Sequence, residues 1–170
     1  MVYTVDSSIQ KEILEYISDP YVQAITLLIG SFIIAKIIDY FITNLLRSFV
    51  RDTATSIDDR LIDYLHRPIY YSILFFGWAL SFQLADLPLT IQNPIISILK
   101  TILIVMWSSS SIKVFIDLIS WYSSRDSSTK IIQKRTLPLF NNLSQIFIFI
   151  AASYFILLSW DIDVTAWLAS

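Results

Sequence analysis

The sequence predicts an all-α membrane protein with four transmembrane helices, a short interfacial helix and an N-terminus outside. Three observations lead there. Of the 170 residues, 55% are hydrophobic and only 15% are charged, against about 25% charged in an ordinary soluble domain. Long stretches carry no charge at all, notably Pro68 to Ala85 and Ile146 to Trp160. A helix of a soluble bundle shows a polar face, and these show almost none. Finally, the cations cluster in two connections rather than spreading along the chain.

The elements follow in order within a single transmembrane domain, 1–170. The first twenty residues hold one cation, Lys11, against four acids, so no basic region of a cleavable signal peptide is present. The first span covers 21–50, interrupted by Lys36, Asp39 and Arg47. As a helix it would be roughly 45 Å long, more than the ~30 Å hydrocarbon core, which implies tilt or emergence into the headgroups. The second span, 68–85, opens on Pro68 and is near the short limit for crossing. The third covers 94–122. The fourth, 137–160, again has a proline in its first turn. Ahead of span two lies SIDDRLIDYLHRP, Ser56 to Pro68. Ser56 and Asp59 have the spacing of a capping box, and Ile57, Leu61, Ile62 and Leu65 line one face. An amphipathic helix of this kind lies in the headgroup region.

Charge fixes the orientation. Arg47, Arg51, Arg60 and Arg67 flank or occupy the connection between spans one and two, and Arg125, Lys130, Lys134 and Arg135 that between spans three and four. The 85–93 loop has no Lys or Arg. Cytoplasmic loops are the ones enriched in these residues, so both basic connections are expected inside. Trp121, Tyr122 and Trp160 sit at span ends as interfacial aromatics should, whereas Trp107 falls mid-span and is expected to pack on another helix.

Candidates for chemistry are few. Lys36 with Asp39, and Lys113 with Asp117, are intramembrane charge pairs at helical spacing. Ionisable groups within a span suggest function, but pairing along one helix or snorkelling of the lysines explains them more simply. Ser108 to Ser111 could line a polar path or serve helix packing, and the run leaves open whether span three is one straight helix. The lone His66 has no metal-ligand companions, cysteine is absent, and the two glycines form no phosphate loop. No enzyme, metal site or cofactor is expected. A net charge of −2 gives no electrostatic reason to expect a nucleic-acid partner.

The last stretch carries a family resemblance. SWDIDVTAWLAS, Ser159 to Ser170, closely resembles the segment before the pore helix in the small-conductance mechanosensitive channel family. The matching residues are Leu158, Ser159, Ile162, Asp163, Val164, Thr165, Ala166, Leu168, Ala169 and Ser170; Asp161 stands where many members carry glycine. RTLPLFNNLSQI, Arg135 to Ile146, is similar to the family's lead into the preceding helix. SIDDRLIDYLHRP is similar to a connector in members with additional N-terminal helices.

The resemblance implies the tension-sensing region of a channel that releases ions and small solutes on osmotic shock. The pore helix would start within 161–170 and continue beyond Ser170 to a cytoplasmic domain. Asp161, Asp163 and Thr165 would form a gating hinge, and Phe147, Ile150, Tyr154 and Leu158 a face toward the pore helix. The implied partners are membrane lipids and identical subunits, as a heptamer, in a plasma membrane such as the bacterial inner membrane. The competing reading is an unrelated four-span protein, a transporter subunit or membrane scaffold.

Overall fold

The computed structural model describes residues 7–50, 56–125 and 137–164. All its regular elements are helices: α1 (Ser7–Ser18), α2 (Pro20–Val50), α3 (Ser56–Leu84), α4 (Leu89–Arg125) and α5 (Leu137–Ser159). Three of them contain stretches long and apolar enough to cross a membrane: Pro20–Leu45, Leu89–Trp121 and Pro138–Ser159.

Local chemistry explains the boundaries. Pro20 has no N–H to continue α1, so the ladder breaks there and a new helix starts with proline at its first position. Asp19 caps α2, its Oδ1 accepting the Tyr21 N–H at 2.8 Å. The side-chain amide of Gln23 donates back to the Ile17 carbonyl at 3.1 Å, which satisfies an end group of α1. The helix α1 thus adds an element ahead of the expected first span. The Pro88 carbonyl accepts from Ile91 and Gln92 at 2.8 and 3.0 Å, opening α4 at Leu89 instead of at Pro94.

One expectation requires correction. The interfacial helix of Ser56 to Pro68 is not separate, because α3 runs unbroken through Pro68 to Leu84. Pro68 forfeits the bond to the Tyr64 carbonyl, but its ring is fully buried, and neighbours on both sides hold the helix together. The expected second span, 68–85, forms the latter part of α3, which is not among the three helices of spanning apolarity. Its apolar stretch is short and mixed with Tyr70, Tyr71, Ser72, Ser81 and Gln83. The serine run leaves α4 helical throughout, 37 residues from Leu89 to Arg125.

Among the described residues, packing occurs only between sequence neighbours: α1 on α2, α2 on α3, α3 on α4, α4 on α5. Pairs such as Ser31 with Gly77, Ser72 with Trp107, and Ser97 with Ser159 make each of the last three pairings antiparallel. The result is an open row of helices, with α3 sandwiched in the middle. The core is correspondingly small: Ala35, Leu74, Phe75 and Leu99 are buried, flanked by Trp78, Phe82 and Leu103 among others. Large apolar side chains such as Ile33, Phe41, Phe76 and Phe149 remain exposed. In water these surfaces would be costly, whereas lipid tails cover them without penalty.

The tightest contact is between α2 and α3. Ala24, Ser31 and Ala35 form a small-residue seam on α2, all buried. Gly77 meets it: a Cβ at this position would collide with the Ser31 side chain. Such small pairs let backbones approach and maximise dispersion contact where no hydrophobic drive exists. Phe32 and Trp78 stack edge to face beside the seam, 5.6 Å between centroids. Gly77→Val should therefore lower stability in detergent by about 1–3 kcal/mol through overpacking. Pairing it with Ser31→Gly should recover part of the loss. Denaturant titration of the four proteins measures this, and additive losses would mean the two positions do not touch.

Candidate functional site

Polar chemistry is concentrated at the two ends of the row. At the basic end, Asp39 of α2 lies 3.0 Å from Nε2 of His66 on α3. Asp117 of α4 accepts the Tyr64 hydroxyl at 3.2 Å, and the Arg60 guanidinium is 3.9 Å away. Arg60 is largely exposed, so that ion pair contributes little. Lys113 Nζ lies 5.6 Å from the centroid of the Tyr64 ring, a cation–π distance. Desolvation, followed by the charge of Asp117, raises the Tyr64 phenol above its ordinary pKa of 10.0, and it remains a hydrogen-bond donor.

The lysine–aspartate pairs read from spacing therefore connect differently. Among the described residues, no ion pair joins Lys36 to Asp39 or Lys113 to Asp117. Both acids reach the neighbouring helix α3. Helical side chains lean toward the N-terminus, so a lysine placed before its acid points away from it, the weaker order for such pairs. Lys36 is exposed.

The serine run divides between two clefts. Ser108 and Ser111 face a cleft of about 760 Å³ between α4 and α5, walled mainly by Leu103, Trp107, Phe115, Phe147, Ala151 and Phe155. Ser109 and Ser110 face α3. The Trp107 indole donates to Ser72 Oγ on α3 at 3.0 Å, so this mid-span tryptophan joins two helices. On α5, Phe147, Ile150, Tyr154 and Leu158 are all exposed, from 38% at Tyr154 to 73% at Phe147. Their spacing places them on one side of the helix. Phe147 also walls the cleft toward α4, so this side borders the α4 contact.

The acidic end holds the joint of α5. Ser97 Oγ donates to the Ser159 carbonyl at 2.6 Å, and the Trp160 indole donates to Thr101 Oγ1 at 3.1 Å. These two bonds fasten the end of α5 to α4. The helix then closes in a Schellman motif: Ile162 N–H bonds to the Leu157 carbonyl and Asp161 N–H to the Leu158 carbonyl, both at 3.1 Å. Asp161 takes φ of 55°, a left-handed conformation that glycine adopts at least cost. Asp163 is exposed beyond the turn.

Several expected residues fall outside the described ones: Arg51, Lys130, Lys134, Arg135 and Thr165, and the start of the pore-helix segment from 165 to 170. So do the side chains of Arg47, Arg125, Ser56 and Asp59. Arg60 and Arg67 are described, and both are exposed at the basic end. Sequence reasoning missed the roles of Tyr64, His66, Ser97 and Thr101, because each bond joins residues on different helices. No protein-family model, no curated protein and no solved structure matches the chain.

The left-handed Asp161 yields a prediction. Asp161→Gly should stabilise the end of α5 by about 0.5–1 kcal/mol, and Asp161→Val should destabilise it by about 1 kcal/mol or more. Amide exchange of Asp161 and Ile162 in micelles reports both changes. Slower exchange in the valine variant would contradict the assigned cap.

Proposed function

We propose that this chain is the membrane-tension-sensing region of a mechanosensitive channel of the small-conductance type. The observation that carries the reading is the joint after α5. There the SWDIDVTAWLAS stretch turns through a left-handed residue at the position where the family carries glycine. The pore helix would follow this joint, and the exposed Phe147–Ile150–Tyr154–Leu158 face of α5 would receive it.

Four crossings with the N-terminus outside fit the geometry. Asp39, His66, Tyr64 and Asp117 lie at one level across α2, α3 and α4. From Asp39 to Pro20, and from His66 to Leu84, the helices rise roughly 27–29 Å, close to the ~30 Å hydrocarbon core. The helix α3 packs antiparallel to two helices of spanning length, which supports its crossing the same depth despite its lower apolarity. Basic residues at one end and Asp19, Asp86 and Asp161 at the other agree with a cytoplasmic basic end.

The open row suits a tension sensor. Each helix has only sequence neighbours, so most of its surface meets lipid, and small tilts change the membrane area the row occupies. Tension favours whichever state occupies more area, and the Asp161 joint would pass that shift to the pore helix. As a channel of this type it would act as a homo-heptamer in a bacterial inner membrane and open under osmotic shock.

Topology is checked by cysteine labelling in intact cells. An impermeant reagent should label Lys11→Cys and Thr90→Cys but not Asp63→Cys. Equal labelling at Asp63 and Thr90 would mean that α3 does not cross. Function is checked by patch recording of the gene product under a pressure ramp. Asp163→Ala should shift the opening threshold and leave single-channel conductance unchanged. Altered conductance at a normal threshold would place the acid on the ion path, and the absence of any tension-activated current would refute the channel reading.

A further inference from the structure

Two adjoining pockets lie at the basic end of the row and share His66, Arg67 and Met106. The first, about 770 Å³, is bounded by α2, α3 and α4 and is lined by Lys113 and the hydroxyl-bearing Thr43, Ser109 and Ser110. The second, about 700 Å³, is walled by Tyr70, Tyr71, Phe75 and Ile102. One is a polar, cationic chamber, and the other runs from the shared His66 and Arg67 along mainly aromatic and aliphatic walls. A free anion would fill only the first.

The charges in the chamber are unevenly used. The His66 imidazole faces Asp39, and nearby Arg60 faces Asp117. Among the described residues, neither Arg67 nor Lys113 has a carboxylate within 4.0 Å. Lys113 instead lies over the Tyr64 ring. The lining contains one carboxylate, Asp63, which is exposed. Two cations and the hydroxyl-bearing Thr43, Tyr64, Ser109 and Ser110 thus line a space beside an aromatic-walled groove. Basic pockets between transmembrane helices on the cytoplasmic side are suited to anionic lipid headgroups, and arginine with hydroxyl donors matches phosphate oxygens.

We propose that these joined pockets bind one anionic glycerophospholipid, its phosphate between Arg67 and Lys113 and an acyl chain along Tyr71, Phe75 and Ile102. The site rests on the cytoplasmic placement of the basic end argued above, but not on the chain being part of a channel. A lipid here would touch α2, α3 and α4 together and fill the gap at one end of an otherwise open row.

The test uses the purified chain in dodecyl maltoside, titrated with dioleoyl phosphatidylglycerol, dioleoyl phosphatidylcholine or inorganic phosphate. Native mass spectrometry counts the retained lipid, and thermal unfolding reads the stabilisation. We expect one phosphatidylglycerol to be retained with a raised Tm, and neither phosphatidylcholine nor phosphate to reproduce this. Arg67→Gln combined with Lys113→Gln should weaken retention roughly tenfold or more, while Lys100→Gln, outside both pockets, should not. A diazirine-tailed phosphatidylglycerol on the unmodified chain should crosslink to the 70–75 peptide or to Met106, a readout independent of any substitution. Equal retention of both lipids, an unaffected double variant, or crosslinks elsewhere would overturn the site. Stabilisation by phosphate alone would make it an anion site and also overturn the lipid assignment. Binding in detergent is indifferent to sidedness, so a reversed cysteine-labelling pattern would refute the cytoplasmic placement while this result stood.

Discussion

The contact between Gly77 and Ser31 governs how the row is built. It brings α2 and α3 closer than any pair of larger residues would allow, and buries Ala35 and the Leu74–Phe75 ridge beside it. With α3 held against α2 on one side, its opposite side is available to α4 through Ser72 and Trp107. The helix α4 in turn carries α5 through Ser97 and Thr101. Among the described residues, each helix packs only on its sequence neighbours, so these contacts form a chain of pairwise attachments.

Attachment in this row relies on small residues and hydroxyls rather than on a large apolar core. That follows from the solvent. Lipid tails are as apolar as leucine side chains, so burying leucine between helices gains little, whereas a serine or indole N–H must find a partner. The interhelical bonds of Ser72, Ser97, Trp107 and Trp160 meet that need. Hydroxyls also bond back to their own helix, as the buried Ser81 does to the Gly77 carbonyl at 2.9 Å.

The polar ends divide the work differently. The basic end ties three helices together through Asp39, His66, Tyr64 and Asp117, acids that meet partners across helices instead of along them. The acidic end fixes α5 and then ends the helix through a left-handed residue, Asp161.

Much of this was legible in the sequence. The charge-free run from Ile146 to Trp160 marked α5, one of the three helices of spanning length and apolarity, whereas the run from Pro68 to Ala85 marked none of them; Pro138 lies in the first turn of α5, because such a signal acts within a turn or two of its own position. The carboxylates of Asp39 and Asp117 were visible as unusual, and Trp107 as misplaced for an interface. Their partners were not, since a bond such as Tyr64 to Asp117 spans 53 residues and leaves no local pattern. Pro68 misled for the same reason: its ring signals a boundary locally, but burial between neighbouring helices carries α3 through it. Sequence alone determined which segments prefer lipid and which end is basic, because hydropathy and charge belong to the residues themselves. Only the tertiary structure decided that the helices form an open row joined at Gly77 and Trp107, because that depends on which surfaces meet.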